Sequence, residues 1–255
     1  MKKVFSLLAV ALMAATASAQ IVSSNSRNET NEPGEYPAGW NSITLEYNNW
    51  GANVPGGMNY FVETKGFPTS LNGISLGYKK AFKVVKELPL YLETGLDVQV
   101  ALGSNTKLED HYFDYDDVYY EVATEQKRKI FVLSAKLPVS VMYHWTLPNR
   151  NIAIEPLVGL NLKVLAYGKI TEDYYVNREK KISNTYDVFN KKDMASLLGD
   201  KYGTSNRCLF GFHLGVNAVI KEKYSLGIRY DKDFTNFHSA GLKFHCLNVA
   251  LGYRF

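Results

Sequence analysis

The chain has 255 residues, 46% of them apolar and 13% aromatic, and a formal net charge of +4. Its mean hydropathy of -0.20 excludes a helical membrane protein. It does not exclude a β-barrel, whose strands carry a polar residue at every second position. The charge is small and evenly spread, which argues against nucleic acid as a partner.

The chain opens on a secretory leader. Lys2 and Lys3 form a basic start, residues 4–15 are apolar, and Ala17-Ser18-Ala19 is a small-x-small cleavage site. The apolar run is too short to anchor the chain, because a spanning helix needs ~20 residues. No Cys follows the cleavage site, so a lipoprotein is not expected. Cleavage would remove two lysines and lower the charge from +4 to +2. Residues 20–41 are polar and are expected to be a flexible periplasmic segment.

From residue 42 to 255 apolar and polar residues alternate in recurring blocks, which is the strand period. Eight strands are predicted, at 42–50, 71–82, 90–103, 129–143, 152–166, 208–220, 224–231 and 241–255. The connections 83–89, 146–151 and 221–223 are short, whereas 51–70, 104–128, 168–207 and 232–240 are longer. Short turns on one side and long loops on the other fit an all-β, eight-stranded antiparallel up-and-down transmembrane β-barrel with both ends in the periplasm. A soluble lipocalin-type barrel is the rival, with its apolar face inside. Tyr (18) and Phe (13) outnumber Pro (8), as aromatic girdles require.

If the apolar face meets lipid, the other face lines the lumen. It carries Glu46, Lys79, Glu93, Asp97, Lys136, Glu155, Lys163, His213, Asn217, Arg229, Asp231 and Asn248. Leaving out the strand ends, four acids (Glu46, Glu93, Asp97, Glu155) meet four bases (Lys79, Lys136, Lys163, Arg229), so a network of paired charges is expected, and not the single-sign ring of a selective pore. An eight-stranded barrel has an interior just wide enough for side chains to fill. Pairing Ile220 with Tyr224 across a three-residue turn sets Gly215 opposite Arg229 and His213 opposite Asp231. Those last two are expected within hydrogen-bonding reach, with Asp231 favouring a charged imidazole.

Catalytic, cofactor and metal sites are not expected. His245 has lipid-facing parity with no Ser beside it, and no nucleophile stands in register with both His213 and Asp231. His111, His144 and His238 are scattered, without zinc spacing. The acidic, Tyr-rich run 110–121 is expected to be a strand extension above the membrane more than a cation site. Within the third long loop, Asn190 is a helix N-cap, Asp193 lies in the first turn and Gly199 is a stop. Cys208 and Cys246 are expected on non-adjacent strands with opposite facing, which disfavours a disulfide.

The last strand ends Leu247-Asn-Val-Ala-Leu-Gly-Tyr-Arg-Phe255, with Leu251, Tyr253 and Phe255 on one face. It resembles the C-terminal insertion signal of bacterial outer-membrane barrels. Together with Tyr224-Ser-Leu-Gly-Ile-Arg-Tyr-Asp231, it is similar to the closing strands of small outer-membrane barrel families. Among these are the PorT-like, porin-type barrels common in Bacteroidota. The resemblance covers about 42–255. It implies a Gram-negative cell outer membrane, with outer-membrane lipid and the barrel-assembly machinery as partners. It specifies architecture and not activity.

The function expected is therefore non-enzymatic: a structural or surface-interaction role through long extracellular loops, with a surface or envelope protein as partner. The alternatives are a narrow channel or barrel component of a secretion apparatus, and a lipid-modifying enzyme.

Overall fold

The computed structural model describes residues 36–53, 69–115, 118–148, 151–198, 205–238 and 241–255, with backbone alone for 109–115, 118–123 and 198. The expected leader, and the lead-in as far as residue 35, lie outside the described residues. The elements are β1 (Gly39–Asn53), β2 (Ser70–Lys83), β3 (Leu90–Tyr115), β4 (Val118–Tyr143), β5 (Trp145–Thr146), β6 (Ile152–Val176), β7 (Glu179–Asp187), helix α1 (Lys191–Leu198), β8 (Cys208–Ile220), β9 (Tyr224–Asp233) and β10 (Lys243–Arg254).

Eight strands hydrogen-bond in the order β4-β3-β2-β1-β10-β9-β8-β6, and β6 pairs back with β4 to close the ring. All these pairings are antiparallel. The first and last strands are zipped from Ser42↔Arg254 to Asn53↔Lys243. Below that zip, Asn41 and Phe255 exchange a pair of backbone hydrogen bonds at 3.1 and 2.9 Å. Closure removes every strand edge within the ring, which a spanning sheet needs because lipid offers no hydrogen bonds.

Facing decides between the two barrels the alternation allows. Leu45, Leu76, Val98, Leu160, Ile228 and Leu251 are 40–61% exposed on the outside. Their strand neighbours Glu46, Lys79, Asp97, Asn161, Arg229 and Asn248 are buried inside. A soluble monomer rarely shows apolar patches beyond a few hundred Å², and here the apolar belt runs round the whole wall. The molecule is an outer-membrane-type barrel, polar inside and apolar outside.

Several strands are longer than the alternation predicts. β1 begins at Gly39, so Gly39, Trp40 and Asn41 belong to the wall and not to the lead-in. β3 and β4 have 26 residues each and β6 has 25, where ~9–11 suffice to cross a bilayer. Most of the expected loop 104–128 is thus paired strand, from Ser104↔Lys129 to Tyr115↔Val118. β7 adds a fourth strand against the upper part of β6. The β6–β7 turn uses left-handed Asn177 (φ 49°) and Arg178 (φ 68°), as a two-residue hairpin with a type I′ twist requires. A four-stranded sheet, β3-β4-β6-β7, therefore stands above one side of the barrel.

The register across β8 and β9 follows the parity argument. Ile220 faces Tyr224, Gly215 faces Arg229 and His213 faces Asp231. Lys221 and Glu222 take left-handed conformations (φ 52° and 57°) to make the turn. A register shift at Leu133/Ser134 on β4 makes β6 skip Ala166 in the ladder. Beyond this bulge the inward parity of β6 switches, so that Gly168 and Ile170 are buried.

Candidate functional site

The lumen is filled in three layers. The middle layer is ionic. Glu46 Oε1 lies 2.6 Å from Lys79 Nζ, and Lys79 is also 3.6 Å from Asp97. Lys136 reaches Glu46 (3.6 Å), Asp97 (3.5 Å) and Asp231 (3.3 Å). Arg229 reaches Glu46 (3.5 Å) and Glu93 (3.4 Å). These seven side chains come from β1, β2, β3, β4 and β9 and tie the wall together across its diameter. None is more than 3% exposed. Buried charges need such partners, and Asp97 is the least satisfied, since neither of its carboxylate oxygens accepts a hydrogen bond among the described residues.

Three expected members stand apart from that network. Lys163 turns to Asp233 at 3.3 Å and lies over the Trp50 ring at 4.3 Å. The alternation predicts this strand only to residue 231, which leaves Asp233 outside it, whereas the strand runs to Asp233. Glu155 belongs to the periplasmic end, where it bonds His144 Nδ1 at 2.6 Å and pairs with Arg254. His144 and Arg254 were not foreseen there. Their parity on strand ends was the available signal. The third is His213. The hydrogen bond expected between it and Asp231 is not made, although the two residues face each other in register. Asp231 is drawn to Lys136, and His213 Nε2 bonds Ser140 Oγ at 2.7 Å.

That serine is the nucleophile type that the sequence reading found missing. It was overlooked because it lies two strands away: Ser140 faces Gly159, and Gly159 faces His213. Gly159 makes the contact across its own strand feasible. A Cβ there would stand 2.1 Å from the Val139 carbonyl oxygen and 2.8 Å from His213 Cε1. The pair is sealed, however. Ser140 is 0% exposed and His213 2%, so no acyl chain resting on the outer wall touches it.

Each of the other two layers sets an apolar cluster beside its polar groups. At the periplasmic end Ala81, Tyr91, Met142 and Leu157 pack with Trp40. Trp40 lies 4.5 Å from the Tyr91 ring, with the Arg254 guanidinium 4.2 Å from its own centroid. At the external end Trp50, Leu71, Ile130, Leu165, Leu209 and Phe244 form a cluster. Helix α1 closes that cluster from above with Met194 and Leu197. The helix is fixed locally. Asn190 Oδ1 accepts from the Lys192 amide at 3.0 Å, and Asp193 accepts from the Asp187 amide at 2.9 Å. Gly199 lies outside the described residues.

The remaining expected residues fall as follows. Cys208 is exposed and Cys246 buried, both as free thiols, on strands separated by β9. His245 is on the outer face beside Tyr230, with ring centroids 6.3 Å apart. The side chains of the acidic run 110–121 lie outside the described residues. Among the described residues no group of three or more His, Cys, Asp or Glu is placed to hold a metal. In the standing sheet Lys180 and Ser183 hold the Asp173 carboxyl below the usual carboxylate range.

No family model and no curated protein matches the chain. Solved structures give distant likenesses. Ail, the attachment invasion locus protein of Yersinia pestis, is 13% identical over 86% of this chain and 100% of its own, with a TM-score of 0.38. Neisserial surface protein A is 12% identical over 84% and 97%, TM-score 0.38. A major outer membrane protein from Thermus thermophilus is 15% identical over 86% and 100%, TM-score 0.37. Such values leave the fold to rest on this chain's own closed ring of strands.

Proposed function

We propose that this protein is a closed, non-enzymatic outer-membrane barrel that works through the sheet and loops it holds outside the cell. The observation that carries this reading is the three-layered lumen. An ionic middle with an apolar cluster at either end fills the lumen with side chains, so the barrel acts as a pedestal. The kinship with PorT-like barrels of Bacteroidota belongs to this reading and rests on the last two strands. A surface or envelope protein is the partner class that an elongated, mixed-sign sheet suits.

The test is electrical. The folded full-length barrel in planar bilayers should give no single-channel steps at moderate voltage. Stable, ion-selective openings would replace this reading with the channel alternative.

A second reading has one observation in its favour, the Ser140–His213 hydrogen bond. It would make the protein a lipid-modifying enzyme. Lipid A mass spectra from a strain carrying Ser140→Ala should match those of the parent strain. A lost acyl or phosphate modification would support the enzyme.

A further inference from the structure

The ionic lumen accounts for the inward charges, but not for a group of lysines on the outer face. Lys127 and Lys129 on β4 and Lys169 on β6 line a cleft of about 630 Å³ together with Ser104, Leu102 and Phe131. Phe131 faces Lys169 across the ladder, and Lys129 faces Thr171. Lys129 and Lys169 are therefore diagonal neighbours, with Lys127 one step along the same face, at spacings of ~7–8 Å.

The depth of the cleft is set by what lies beneath it. Phe131 and Tyr167 form an edge-on aromatic pair with centroids 5.9 Å apart, and Leu102 is 57% exposed. Aromatic rings of this kind sit at the headgroup level of a bilayer. The lysines stand just above that level, on the side of the long hairpins.

Two acids flank the cleft, Asp173, which faces Lys127 in the ladder, and Asp187, but each is engaged elsewhere. Asp173, the nearest acid, is held by Lys180 at 2.5 Å and by Ser183, and lies 3.9 Å from Lys129. Asp187 faces Lys169 in the ladder, but its carboxylate accepts from the Phe189 amide at 2.8 Å. Among the described residues no carboxylate pairs with Lys127 or Lys169.

Three lysines above an apolar floor, turned to the lipid, call for an anion that carries its own hydrocarbon. We propose that this cleft binds a phosphorylated glycolipid of the outer leaflet. Its phosphate sits among Lys127, Lys129 and Lys169, and its acyl chains lie along Leu102, Phe131 and the wall below. The proposal goes beyond the pedestal reading and does not depend on what the sheet binds.

The experiment is native mass spectrometry of the folded full-length barrel. The probes are a bisphosphorylated lipid A, its dephosphorylated form and inorganic phosphate. Wild-type protein should retain the phosphorylated lipid about ten-fold or more over K127Q/K129Q/K169Q, since each lysine near an anionic surface adds a separate attraction. The dephosphorylated lipid should be retained weakly by both. K232Q/K243Q, which removes two outer-face lysines elsewhere on the rim, should bind like wild type. K127R/K129R/K169R should retain the lipid. Should the triple Gln variant fail to fold, K169Q alone carries the same comparison. Equal retention by wild type and the Gln variants would overturn the proposal, as would an equal loss in K232Q/K243Q. Full displacement of lipid by millimolar inorganic phosphate would mark a free-anion site instead and also overturn it.

Discussion

Lys136 is the side chain on which the middle of the lumen converges, because three carboxylates lie within 3.6 Å of it. Replacing it by Met keeps the bulk and leaves Glu46, Asp97 and Asp231 short of a cation in a closed interior. A buried pair broken from one side costs about 3–5 kcal/mol. Urea unfolding in detergent should therefore show Lys136→Met destabilised by that order. Lys136→Arg, which keeps a cation among the same carboxylates, should cost less. The contrast is the check, and equal losses would mean that the fit of the side chain and not its charge is what the network needs. Lys136 and Lys163 are both legible in the sequence as inward-facing bases. Their partners are not. Parity states which face a residue takes, but which acid it meets depends on the stagger of strands around a closed ring. That is why Glu155 and Lys163 read as members of one network and are held in separate places. The His213–Ser140 contact is hidden by the same logic, being set by Gly159 on the strand between.

Among the elements, the terminal strand and helix α1 carry separate tasks. β10 is well marked in sequence because its outer residues all meet one medium: Leu247, Val249, Leu251, Tyr253 and Phe255 are 40–60% exposed. Phe255 also closes the backbone zip with Asn41. Deleting Phe255 should lower the amount of heat-modifiable barrel in the outer membrane and leave export intact. Normal barrel levels would count against an assembly role. The helix was readable from Asn190 and Asp193, which are local signals, whereas its landing place inside the mouth was not. Met194 is fully buried there. Met194→Asp places an unpaired charge in the apolar cluster and should release the segment 188–198. Limited proteolysis at residues 190–198 should then become fast in intact barrel, while urea resistance of the wall changes little. A protease pattern like wild type would show that the helix is not held by that contact.

Taken as a whole molecule, the barrel is lopsided. β8, β9 and β10 have 13, 10 and 12 residues, little more than a crossing needs, while β3, β4 and β6 continue with β7 beyond it. The alternation in 90–103 and 129–143 marks only the part of those strands that lies against lipid. The continuation mixes polar, aromatic and aliphatic residues without a two-residue period, so it has no strand signature to read. At ~3.3 Å per residue, a 26-residue strand measures roughly 86 Å. A tilt of ~45° and a hydrocarbon band of ~25 Å leave on the order of 30 Å of sheet above the lipid. Intact cells treated with protease should lose the tip of this sheet and keep a folded barrel, detectable as a shortened, still heat-modifiable band. Complete resistance would mean that the sheet is covered at the surface. Such a height has a consequence for what meets the protein first. The sugars of the outer leaflet form a thicket over short loops, and a sheet of this length rises through it like a mast. Anything arriving from outside, whether an antibody, a phage or a neighbouring cell, would encounter the sheet before it reached the membrane.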